Sequence, residues 1–182
     1  MPDSAAAPQV AIRAARDADA PSIAVIYAHH VLTGFATFET EPPDDGEMAR
    51  RYRDLVGKGF PYLVAEVEGR LVGYAYAGPF RTRAAYRYTL EDSIYLDPAA
   101  VRHGVGRRLL QELIEASTRA GFRQMIAVIG DSANVGSIRV HERCGFRMVG
   151  TMDATGFKFG RWVDTVLMQR ALGEGGGTLP VA

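Results

Sequence analysis

From Tyr62 to Gly78 the chain reads YLVAEVEGRLVGYAYAG. Two runs rich in Val, Leu, Tyr and Ala flank Glu68-Gly69-Arg70, where Gly69 can take the positive φ of a tight turn. This pattern predicts a β-hairpin. Elsewhere the period changes. Ile23, Ile26, Tyr27 and His30 recur at helical spacing in DADAPSIAVIYAHHVL, with Asp19 as N-cap and Pro21 in the first turn. Leu109, Leu110, Leu113 and Ile114 form an amphipathic stripe that starts after Gly106 and ends at Gly121. DDGEMARRYRDLVGKG predicts a more polar helix ending near Gly57, and SANVGSIRVHERCGF a short one stopped at Gly145. VAIRAA, TLEDSIYLD and RQMIAVIG read as strands, and RMVGTMDATGFKFGRWVDTVLMQRAL as two more. The order β-α-α-β-β-β-α-β-α-β-β predicts a mixed α/β domain over residues 10–172, with one sheet running through it. Residues 1–9 and 173–182, rich in Ala, Gly and Pro, read as flexible ends.

Composition narrows the classes. The chain has 182 residues, enough for one domain with a single substantial core. Lys+Arg and Asp+Glu both number 21, and a formal charge of zero argues against dedicated nucleic-acid binding. The one cysteine, Cys144, excludes an internal disulfide and reads as a buried inert thiol. No stretch is apolar enough to span a membrane, and MPDSAAAPQV lacks the basic-then-apolar order of a signal peptide. A cytoplasmic protein without membrane contact is expected. His29 and His30 read as structural, since no spacing of ligands makes a metal site.

The chemistry gathers at VRHGVGRRLL. Gly104 and Gly106 leave the backbone bare at a helix start, where unpaired N–H groups and the helix dipole favour an anion such as pyrophosphate. Arg102, Arg107 and Arg108 add charge, and His103 adds a donor. A plain tight turn with solvated arginines is the alternative reading. No Gly-Lys-Ser/Thr follows, so the loop is not a Walker A motif, and Leu109 replaces the third glycine of a dinucleotide fingerprint. PFRTRAAYRY places Arg81, Arg83 and Tyr86 together, a guanidinium clamp with an aromatic wall suited to a carboxylate, or else a solvated loop.

SIYLDPAAVRHGVGRRLLQELI resembles the coenzyme A motif of the GNAT acyltransferase superfamily, and SANVGSIRVHERCGF resembles its second motif. TFETEPP, AVIG, SIRVHE and GFKFGRWVD are similar to the phosphinothricin N-acetyltransferase family and its methionine sulfoximine-acetylating relatives, over roughly residues 10–172. Val101 departs from the loop's usual Gln or Arg. The resemblance implies a twisted mixed sheet, splayed in its middle and flanked by helices. Acetyl-CoA would lie in the opening, its pantetheine on the backbone of Ile94, Tyr95 and Leu96. Its pyrophosphate would sit on the N–H groups from Arg102 through His103, Gly104, Val105 and Gly106 to Arg107. Asn134 would bind from the far side, or cap its helix, or both. Glu91 stands where the family has its proposed catalytic glutamate, and His141 where it carries a histidine near the site. The loop with Arg81, Arg83 and Tyr86 would cover the acceptor, with Phe35 and Phe38 as walls. The implied reaction is direct acetyl transfer to the α-amine of a small amino-acid analogue, without metal, by a homodimer. Another small amine or a peptide N-terminus as acceptor, or a non-catalytic acyl-CoA sensor, are the alternatives.

Overall fold

The computed structural model describes residues 9–100 and 104–180. Its strands are β1 (Val10–Ala14), β2 (Tyr62–Val67), β3 (Arg70–Pro79), β4 (Thr89–Leu96), β5 (Gln124–Gly130), β6 (Arg147–Lys158) and β7 (Arg161–Ala171). Its helices are α1 (Ala20–Thr33), α2 (Asp45–Val56), α3 (Val105–Arg119) and α4 (Val135–Arg143). The hairpin turns where the glycine foretold, with Glu68 at φ 51° and Gly69 at φ 76°. The strands form one sheet in the order β1-β2-β3-β4-β5-β7-β6. Its pairs are antiparallel except β4 with β5, which are parallel and joined by α3 as the crossover.

Two layers cover the sheet. The α3 stripe buries Leu109, Leu110 and Leu113 against Leu90, Met125, Ala127 and Met168. The other face packs Ile23, Ile26, Val31 and Met48 of α1 and α2 onto Tyr62, Tyr74 and Tyr95. Strand periodicity divides the faces: on β4, Leu90, Ile94 and Leu96 join the α3 side and Tyr95 the α1 side.

The parallel pair is short. β4 and β5 pair from Thr89↔Gln124 to Asp92↔Ala127 only, although β4 runs on to Leu96 and β5 to Gly130. Beyond that point β5 stays with β7, pairing Val128 with Leu167 and Gly130 with Thr165. The sheet therefore opens in its middle, as the resemblance implied.

Local details differ from the sequence reading. Asp19 occupies the N-cap position of α1 but makes no side-chain cap there; its Oδ2 accepts instead from Arg16 N–H at 2.7 Å, at the start of the preceding turn. Arg13 draws that carboxylate away with two bonds of 2.7 and 2.9 Å, a charge-assisted fork that outcompetes a neutral cap. Single 3₁₀ turns form at Asp17–Asp19, Ala84–Tyr86 and Pro98–Ala100, too short to leave a periodic signal. At the C-terminal end, Arg123 donates to Thr178 Oγ1 at 3.0 Å and to the Leu179 carbonyl at 3.1 Å.

Gly130 shows how tightly the α1–α2 connection seats on the sheet. A Cβ there would run into the Phe35 carbonyl and the Phe38 ring. Gly130→Ala should cost about 1–3 kcal/mol in urea unfolding, the range of overpacked sites. A wild-type midpoint would contradict this close approach.

Candidate active site

Where β4 and β5 part, a cavity of about 710 Å³ passes between them. Its lining includes His30, Phe35 and Ala36 from the α1 side and Ser137, Val140 and His141 from α4. Asp92 to Leu96 and Ala127 to Gly130 form the strand walls. A site open to both faces of a sheet lets two reactants meet from opposite sides.

The wall on β4 is an unpaired strand edge. Asp97 N–H donates to the Val72 carbonyl at 2.9 Å, and the Thr89 carbonyl accepts from Phe80 N–H at 3.3 Å. Both bonds run towards the β3 side. Alternation then turns the backbone groups of Ile94 and Leu96 the other way, into the opening. The Leu96 carbonyl already has a partner, since His30 Nε2 donates to it at 2.8 Å. Burial, with His29 and Lys158 nearby, holds His30 below its ordinary value, although the Leu96 bond works against this. A neutral ring with its proton on Nε2 suits that bond.

Gly104 stands at φ 75°, in the left-handed region, as the residue before α3. Having no side chain, it leaves the first N–H groups of α3 uncapped beside the cavity. Gly106 also lines the cavity, and it has a packing role besides. A Cβ there would stand 3.1 Å from Leu96 Cδ1, so its bareness lets α3 close on β4. Val105 points into the core, whereas Arg107 lines the cavity. Val101, Arg102 and His103 lie outside the described residues. Opposite, Asn134 caps α4: its Oδ1 accepts from Ser137 N–H at 3.2 Å. The amide nitrogen is left over, on a residue that lines the cavity.

Glu91 and Asp92 are neighbours on opposite faces of β4. Glu91 is half-buried on the α1 side and does not line the cavity. Burial lifts its carboxyl above the usual range and the Asp92 charge adds to this, while Arg81 pulls it back. Asp92 faces α4 and meets His141 Nε2 at 3.0 Å. His141 Nδ1 lies 2.8 Å from the Ser137 carbonyl. Burial alone would lower the imidazole, but Asp92, helped by that carbonyl, raises it overall. Both ring nitrogens of His141 are occupied.

The acetyltransferase (GNAT) domain family matches residues 12–167. The chain belongs to this family. It is 54% identical to the phosphinothricin N-acetyltransferase of Alcaligenes faecalis over 169 residues, 93% of this chain and 86% of that one. It is 40% identical to the L-methionine sulfoximine/L-methionine sulfone acetyltransferase of Salmonella typhimurium over 163 residues, 90% and 95% of the two chains. A GNAT superfamily phosphinothricin acetyltransferase from Sinorhizobium meliloti, solved in complex with AcCoA, superimposes with a TM-score of 0.92 at 52% identity, covering 94% of this chain and 93% of that one.

The remaining expected residues of this GNAT acetyltransferase fall in two groups. Phe35 lines the cavity beneath the Arg161 guanidinium, 3.9 Å above its ring. Arg81 lies over Phe80 at 4.6 Å, and Tyr86 meets the same ring edge-on at 5.7 Å. Arg83 is exposed at the start of the Ala84–Tyr86 turn. Phe38 is apart from the cavity, its ring laid over Gly156 of β6. Two residues at the cavity went unassigned in the sequence reading. His30 was legible only as a position on the apolar stripe of α1, and its partner is 66 residues away. Asp92 follows Glu91 in TLEDSIYLD, and a regular strand turns it to the opposite face.

Two Asn134 variants test the cap. Asn134→Ala should lower stability by about 1 kcal/mol, whereas Asn134→Asp, which keeps the accepting oxygen, should stay close to wild type. Equal losses in thermal unfolding would show that Ser137 N–H does not depend on this side chain.

Proposed function

We propose that the chain transfers acetyl from acetyl-CoA to the α-amine of a small amino-acid analogue. The observation that carries this is the β4 backbone edge, open at Ile94 and at the Leu96 N–H with the Leu96 carbonyl held by His30, set between an uncapped helix start and the leftover amide of Asn134. Amides of an extended pantetheine fit the donors and acceptors that this edge leaves free. Pyrophosphate fits the start of α3, with Arg107 beside it. The resemblance to enzymes named for phosphinothricin, methionine sulfoximine and methionine sulfone supports the acceptor class. Acetyl-CoA supplies the thioester, and the chain supplies orientation and a proton acceptor.

Glu91 is the general base in this reading. The incoming amine arrives mostly as ammonium and must lose a proton before it attacks. His141 has no free nitrogen to take that proton. Glu91, held above the usual carboxylate range, is better matched to an ammonium than an ordinary glutamate. It must be ionised to act, so kcat/KM falls as pH drops through its raised value. Arg81 sits close enough to act on Glu91 electrostatically, which sets the PFRTRAAYRY loop beside the base. Arg81 and Arg83 then hold the acceptor carboxylate.

A coenzyme-release assay over an amine panel tests the reading. Methionine sulfone and phosphinothricin should be turned over, and the carboxamide of methionine sulfone used about 30-fold less well or worse, the cost of leaving a guanidinium unpaired. Glu91→Gln should lose about 10²–10⁴ in kcat and abolish the acid limb. Equal use of acid and amide would remove the clamp, and turnover of peptides alone would move the acceptor class. Asn134→Asp, stable by its cap, should raise KM for acetyl-CoA if the amide donates to it.

A second copy of the chain is the proposed partner. The edge strand β6 exposes Val149, Met152 and Phe157, and Trp162 of β7 packs on Phe157 while remaining 64% exposed. Apolar residues on an edge are ordinarily covered. Light scattering should show a dimer for the wild type and a monomer for Trp162→Arg, and a monomeric wild type would refute it.

A further inference from the structure

The carboxylate that meets His141 is not the one a family resemblance singles out, and its surroundings fix a proton count. The Asp92 and His141 side chains are 1% and 2% exposed. The Ser137 carbonyl only accepts, so His141 Nδ1 carries a proton. Nε2 faces Asp92 Oδ2, where two lone pairs cannot meet, so a second proton lies on that line. Among the described residues Asp92 Oδ1 is buried with no hydrogen-bond partner, which leaves His141 as the described group that compensates this carboxylate. The other described residues around the pair offer no substitute. Arg170 of β7 is bonded to the Cys144 carbonyl, Cys144 just after α4 donates towards the Arg107 carbonyl of α3, and Phe146 presents a ring at 5.0 Å. The Arg107 guanidinium lies along the cavity and makes no ion pair with Asp92, and Glu91 adds a like charge on the neighbouring residue.

The pair also occupies a particular place. Asp92 is the last β4 residue paired to β5, so it ties α4 to the root of the opening.

We propose that Asp92 and His141 form a buried carboxylate–imidazolium pair of positioning residues that sets the charge environment of Glu91 and does not itself receive the substrate's proton. This rests on the reading of Glu91 as base. While the ring is charged, the Asp92 carboxylate beside Glu91 is partly cancelled. Neutralising either member unbalances the pair in opposite senses, because Asp92 is adjacent to Glu91 and His141 lies farther off, behind it.

Two measurements test this. The first is ¹⁵N NMR of histidine-labelled protein at about pH 7.5, with His141→Gln used for assignment. Both His141 nitrogens should be protonated, and a neutral ring would overturn the proposal without reference to catalysis. The second is the pH dependence of kcat/KM. Asp92→Asn keeps a bond, since its amide donates to a neutral Nε2, and removes the negative charge next to Glu91. Its acid limb should move to lower pH. His141→Gln keeps a donor to Asp92 but leaves that carboxylate uncompensated, so its limb should move to higher pH. Each shift should approach one pH unit, about tenfold in rate on the limb. Unmoved limbs in both folded variants, or shifts of the same sign, would overturn the proposal. Loss of the limb in His141→Gln would make His141 the base and also overturn it. Should that variant not fold, the Asp92→Asn shift and its own histidine spectrum decide. A limb that persists in Glu91→Gln would instead refute the Glu91 reading, leaving the NMR result to stand on its own.

Discussion

Everything at the site depends on one short parallel pairing. β4 and β5 hold together only from Thr89↔Gln124 to Asp92↔Ala127. A parallel pair needs a crossover, and α3 provides it, buried by Leu109, Leu110 and Leu113. The same connection brings the start of α3 to the mouth of the gap. β5 is then held away by its antiparallel partner β7 along seven register positions from Gln124 to Gly130. The gap is therefore built by core strands on both sides rather than by loops, and its width is part of the stability of the fold.

The strand's two-residue period distributes the chemistry. Glu91 faces the α1 side with a half-buried carboxylate near Arg81, and Asp92 faces α4 with one almost fully enclosed. One peptide unit separates two acids with opposite surroundings, one half-buried near Arg81 and the other tied to a histidine. In the proposed reaction, acceptor and coenzyme would approach from different faces, and proximity at the gap would supply part of the rate.

Most of the element order was legible because it rests on local periods: the α3 stripe, the hairpin around Gly69 and the glycine stops at Gly121 and Gly145 all sit where the pattern put them. The resemblance carried the splayed sheet, which no local period could have shown. What escaped were features decided by distant partners. Asp19 does not cap α1 because Arg13 and the Arg16 N–H claim it. That Gly106 also lets α3 close on Leu96 could not be read from its motif. His30 and Asp92 became site residues only through a strand carbonyl and a helix histidine far along the chain.

The bond from His30 to the Leu96 carbonyl has a further consequence. A free strand edge is a template for any extended chain that can supply complementary amides. At this edge α1 has filled one acceptor position from the side, leaving an interrupted row of donors and acceptors. A foreign strand would have to break that imidazole contact to zip along β4. A slender ligand with only two or three amide groups need not. The helix thus acts as a stop on an interior edge, interrupting the continuous register that strand exchange and aggregation require.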